Sequence, residues 1–80
     1  MATNGFVKIA TVKASPERNV FCKGNCLYAE YDGEREPLEF ESNQAGLRGY
    51  ADRLRLRSLS VTVRVTPEGR DMGFSGFNLA

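Results

Sequence analysis

Apolar and polar residues alternate strictly from Leu59 to Thr66, with Leu59, Val61, Val63 and Val65 on one parity. That period of two predicts a strand with one buried face. Just upstream the period changes. Leu47, Tyr50, Ala51 and Leu54 fall at i, i+3, i+4 and i+7, the spacing of a helix with one apolar stripe. Ser42 or Asn43 supplies the N-cap, because a short side-chain oxygen accepts from the free amides of a first turn. Gly46 and Gly49 each cost up to ~1 kcal/mol against Ala, so this helix forms by docking rather than by propensity. Leu56 points away from the stripe and marks the helix end. Residues 42–66 thus make a scaffold in which the stripe packs on Val61, Val63 and Val65.

Upstream, residues 6–13 are rich in β-branched side chains and predict a first strand. Its apolar residues fall on both parities, which predicts a central strand covered on both faces. Residues 14–19 form a turn around Pro16 and Asn19; Val20, Phe21 and Cys22 resume extended structure, which Lys23-Gly24-Asn25 interrupts. Asp32-Gly33 is the pair that a two-residue hairpin turn favours, since both positions need positive φ. Pairing outward from it opposes Tyr31 with Glu34, Glu30 with Arg35, and Leu27 with Leu38. One face of this hairpin holds Leu27, Ala29, Leu38 and Phe40; the other holds Tyr28, Glu30, Arg35, Glu39 and Glu41. Pro37 cannot donate to a ladder, so its strand lies at a sheet edge or starts just after it. Beyond Thr66, Pro67-Glu68-Gly69 turns the chain, and residues 70–79 return as a last strand broken by glycine. The predicted order is β-β-β-α-β-β: one α+β domain over residues 1–80, with residues 1–4 flexible. Its sheet is mostly antiparallel, of four to five strands, with one helix packed on one face.

Length and charge narrow what such a domain does. At 80 residues it buries only about 60% of the surface its unfolded chain exposes, so a partner or a second copy is a ready source of further burial. A net charge of +1 predicts no wholesale attraction to nucleic acid or to anionic membrane. Met1 to Gly5 has no signal character and no window nears 18 apolar residues, so a cytoplasmic location away from membranes is expected. The chain has no histidine, the commonest general base and metal ligand.

Cys22 and Cys26 bracket three residues, one more than thioredoxin-like spacing, and a four-thiolate zinc site needs two further soft ligands. They are read as reduced structural cysteines. Gly73-Phe74-Ser75-Gly76-Phe77 misses the nucleophile-elbow pattern, since Phe77 stands where the second glycine belongs. Without a histidine to activate Ser75, its aromatic residues Phe74 and Phe77 draw the attention instead, with Tyr28, as exposed interface anchors. No catalytic residue, cofactor or metal site is assigned.

Charge is small in sum and large in separation. Glu30, Asp32, Glu34, Glu36, Glu39 and Glu41 gather on the hairpin, offset there only by Arg35. They serve as a solvated face that blunts edge pairing, or as a docking face for a basic partner. Arg48, Arg53, Arg55 and Arg57 sit on the helix, with Arg64 and Arg70 beyond it. At about 100° per residue, Arg48 and Arg55 flank one side of the apolar stripe and Arg53 and Arg57 the other. That split argues against a single phosphate-binding stripe and suits contact with an acidic protein surface. Complementary potentials of this kind serve oriented association, with another protein or with a second copy.

A stand-alone, arginine-rich α+β chain of this size without catalytic residues resembles the small anti-defence proteins of phages and mobile elements, of which anti-CRISPR proteins are the best-known group. The resemblance covers size and style over the whole chain and rests on no shared motif, so it transfers no functional residue. It implies a non-enzymatic inhibitor that docks on a CRISPR effector subunit in a bacterial cytoplasm and blocks DNA binding or cleavage. The competing expectation is a small nucleic-acid-binding module that uses the helix arginines, with Tyr28 or Phe74 stacking on bases.

Overall fold

In the computed structural model, which describes residues 5–80, the chain runs β1 (Val7–Lys13), β2 (Arg18–Lys23), β3 (Cys26–Tyr31), β4 (Glu34–Glu41), α1 (Gln44–Arg55), β5 (Val61–Val65), α2 (Pro67–Asp71) and β6 (Phe77–Leu79). The expected flexibility of residues 1–4 lies outside the described residues. The strands form one antiparallel sheet in the order β4-β3-β2-β1-β5-β6. The chain meanders from β1 to β4, then crosses one face of the sheet as α1 to lay β5 against the far side of β1. The α+β class and the single main helix agree with the sequence pattern, whereas the sheet has six strands rather than four to five. The extra strand arises at Lys23-Gly24-Asn25. Gly24 takes φ 62° there and turns β2 tightly into β3, so these residues join two strands instead of interrupting one.

The hairpin turn forms at Asp32 and Gly33, at φ 58° and 81°. Tyr31 opposes Glu34 and Glu30 opposes Arg35, but a register irregularity beyond Tyr28 removes the expected Leu27–Leu38 pair. Pro37 lies inside β4, which is an edge strand. At the other end of the hairpin, Asn43 is the N-cap of α1, its side chain accepting from the Gly46 amide at 2.8 Å.

The core lies between α1 and one face of the sheet. Leu47, Tyr50, Ala51 and Leu54 are all buried against a cluster that includes Val12, Val20, Leu27, Val61 and Val63. Each fully buried Val or Leu there contributes ~1.5–3 kcal/mol, which is what holds a helix with two internal glycines in place. Leu59 does not join Val61 and Val63: β5 begins two residues later, and Leu59 is 91% exposed.

β1 is central, as its composition predicts, but it is not covered on both faces: Lys8 and Lys13 are exposed. Apolar residues occupy both parities because the register with β2 shifts between Lys8 and Ala10. The bulge resets the alternation, and Ile9 and Ala10 are both fully buried.

The expected turn after Thr66 is a short helix, α2. Thr66 Oγ1 accepts from the Gly69 amide at 2.9 Å and donates to the Lys8 carbonyl at 2.8 Å, so one hydroxyl caps α2 and fastens it to the β1 bulge. Only Phe77–Leu79 of the last segment is strand.

Candidate functional site

α1 covers one face of the sheet and leaves the other open. Alternation along the paired strands assigns the open face its residues: Lys8, Thr11 and Lys13 from β1, Asn19, Phe21 and Lys23 from β2, Cys26, Tyr28 and Glu30 from β3, Arg35, Glu39 and Glu41 from β4, Thr62 and Arg64 from β5, and Asn78 from β6.

At the β1–β4 side of this face lies an aromatic cluster. Phe6 meets Tyr28 edge-on at 4.9 Å between ring centroids and Phe21 at 6.3 Å. The Arg35 guanidinium sits 3.8 Å from the Phe21 centroid and 4.5 Å from that of Phe6, and its Nη2 donates to Glu30 Oε2 at 3.1 Å. Lys23 Nζ lies 4.8 Å from the Phe6 centroid. All three rings are half-buried. Cation–aromatic stacking of this kind is worth roughly 0.5–1 kcal/mol per contact at an exposed site. Across this face the charges are mixed, with Lys8, Lys13, Lys23, Arg35 and Arg64 interspersed with Glu30, Glu39 and Glu41.

Tyr28 is the one aromatic anchor read from the sequence that lies here. Phe74 is 3% exposed and belongs to the core, which overturns its reading as an exposed anchor or a base-stacking residue. Its amide donates to the Gly69 carbonyl at 3.0 Å, so the turn that ends α2 folds its ring inward. Phe77 is half-buried on the helix side, 5.2 Å from the Arg48 guanidinium.

The six arginines do not converge. Arg48 reaches the β6 side of α1 and pairs with Asp52 at 3.2 Å, whereas Arg53 lies 4.7 Å from the Phe40 centroid on the β4 side. The two therefore flank opposite sides of the stripe, as helical spacing requires. Arg55 donates to the Ser58 carbonyl at 3.2 Å, and Arg57 is exposed past the helix end. Arg64 stands on the open face, and Arg70 is exposed on α2. The hairpin acids divide as well. Glu34 and Glu36 share a parity with Leu38 and Phe40, Asp32 is in the turn, and Glu30, Glu39 and Glu41 take the open face.

Phe6, Phe21, Lys8, Lys23 and Arg35 were not marked by the sequence reading. The signal for Phe21 was present, since a large ring between Val20 and Cys22 is out of phase with the buried parity. Arg35 was legible only as Glu30's partner, because the rings it covers belong to strands not yet placed. Cys22 is buried and free. Cys26, also free, donates its thiol to the Leu38 carbonyl at 3.0 Å. On the helix side a hollow of about 190 Å³ is lined by Arg18, Tyr31, Asp32, Glu34 and Tyr50, among others. Among the described residues no helix is long and apolar enough to cross a membrane. No protein-family model, curated protein or solved structure matches the chain.

Proposed function

We propose that the chain is a small non-enzymatic protein-binding domain that docks on its partner through the open sheet face. Its role, by its likeness in size and style to phage anti-defence proteins, is that of an inhibitor seated on a subunit of a CRISPR effector in a bacterial cytoplasm. The observation that carries the binding reading is the cluster of Phe6, Phe21 and Tyr28 locked by Arg35 and Lys23 in a field of mixed charge. Aromatic residues and arginine are the side chains that dominate protein interfaces. Nucleic acid fits this face less well. Arg35 and Lys23 already lie against the rings that bases would stack on, and Glu30, Glu39 and Glu41 repel phosphates. Support for a non-enzymatic role comes from the absence of histidine in the sequence and from a hollow well below the ~300 Å³ usual for a small-molecule site.

Capture from bacterial lysate on the tagged chain tests this reading. The chain and an Arg57→Glu variant retain one protein partner in stoichiometric amount, and a Lys8→Glu, Lys23→Glu variant loses it. Recovery of no protein partner, or of nucleic acid in its place, overturns the proposal.

A further inference from the structure

The two edges of this sheet are treated differently. β4 carries Glu34, Glu36, Glu39 and Glu41 and, within it, Pro37, which has no N–H to offer. Charge and proline are the devices by which an edge strand resists further pairing. β6 has neither, and no charged residue occurs from Met72 to Ala80. Three residues make a short edge, but apolar surface continues past its end. Leu59, 91% exposed, stands two residues ahead of the Val61 that opposes Leu79, and Leu56 is 86% exposed at the α1 C-cap.

Basic side chains border this edge on both faces of the sheet. On the helix side the Arg48 guanidinium lies 5.2 Å from the Phe77 centroid, and its Nε donates to Asp52, leaving both terminal nitrogens without an acceptor among the described residues. On the open face Arg64 is exposed, and Gly76 lies against the backbone of Val63 and Val65 on either side of it. Gly76 is itself fixed there, since a Cβ would lie 2.6 Å from the Val63 carbonyl oxygen.

We infer that the β6 edge is a second docking site, where an extended segment of a protein partner adds a strand to the sheet. That segment is apolar or β-branched at its centre and carries Asp or Glu at the end that lies beside Phe77, where Arg48 and Arg64 stand on opposite faces. Main-chain hydrogen bonds supply the affinity, and Arg48 and Arg64 fix the register through those carboxylates. A second copy fits worse. A second β6 edge has no Asp or Glu to offer these arginines, and the acidic β4 edge of another copy is barred by Pro37. The site is separate from the open-face cluster and stands or falls without it.

The test uses two short peptides of alternating valine and threonine, one ended by glutamates and one by lysines, titrated against the full chain at low salt. The glutamate-ended peptide is expected to bind about tenfold tighter, because the exposed arginines attract its carboxylates and repel the lysines of the other. It slows amide exchange in β6, and an Arg48→Glu, Arg64→Glu variant reverses the preference. Equal binding of the two peptides, no binding, or protection mapped elsewhere would overturn the inference. Concentration-dependent protection of β6 in the chain alone would also overturn it, by making a second copy the occupant.

Discussion

The Gln44 side chain hydrogen-bonds both backbone groups of Ser75, donating from Nε2 to the carbonyl at 3.1 Å and accepting at Oε1 from the amide at 2.8 Å. The amide group thereby imitates one residue of a neighbouring strand. It ties the first turn of α1 to the chain entering β6, which no other side chain does among the described hydrogen bonds. Gln44→Ala is expected to cost about 1–2 kcal/mol, the net worth of two neutral hydrogen bonds. In a domain of this size that lowers Tm by roughly 4–8 °C per kcal/mol, readable by thermal denaturation. An unchanged Tm would mean that β6 is held by its pairing with β5 alone.

The two glycines of α1 are expected to behave oppositely. A Cβ at Gly46 would overlap the backbone carbonyl oxygen of Glu41, which cannot move without breaking the β4–α1 junction. A Cβ at Gly49 would meet only the Phe40 ring, at 2.9 Å from Cε1. Gly46→Ala therefore destabilises by about 2 kcal/mol or more despite its gain in helix propensity. For Gly49→Ala a small ring shift offsets the same gain, leaving stability within about 1 kcal/mol of the parent. Urea denaturation of the two variants separates these outcomes.

Arg35 is expected to act through its flat guanidinium rather than its charge. Arg35→Lys keeps the ion pair with Glu30 but loses the stacking on Phe21 and Phe6, and should destabilise by about 1 kcal/mol. The Phe21 ring resonances should shift with it. A lysine variant of parental stability would reduce Arg35 to an exposed ion-pair partner.

The parts of this fold that were legible in the sequence are those fixed by neighbours in the chain. Asp32-Gly33 specifies its own turn, Asn43 its own cap, and the stripe from Leu47 to Leu54 its own buried face. What was not legible depends on residues far apart in sequence. Nothing near Ile9 announces the bulge; it is held by Thr66, whose amide donates to the Ile9 carbonyl at 2.8 Å. That bulge is why a parity count mistook β1 for a strand covered on both sides. The sequence Thr66-Pro67-Glu68 did carry the signature of a helix start, a capping hydroxyl before proline at N1, but the helix it starts is only five residues long and stands where the pattern predicts a turn. Phe74 looked exposed between two glycines, yet the turn closing on Gly69 buries it. The open-face cluster draws Phe6, Phe21, Tyr28 and Arg35 from four separate segments, so only the strand order could assemble it.

Hydroxyl-radical footprinting of the chain, alone and bound to its captured partner, tests the central claim most directly. The account predicts several-fold protection of Phe6, Phe21 and Tyr28 in the complex. Tyr31, exposed on the helix side, should react equally in both states. Unprotected Phe6, Phe21 and Tyr28 in a complex that shields Tyr31 or the outer side of α1 would contradict it.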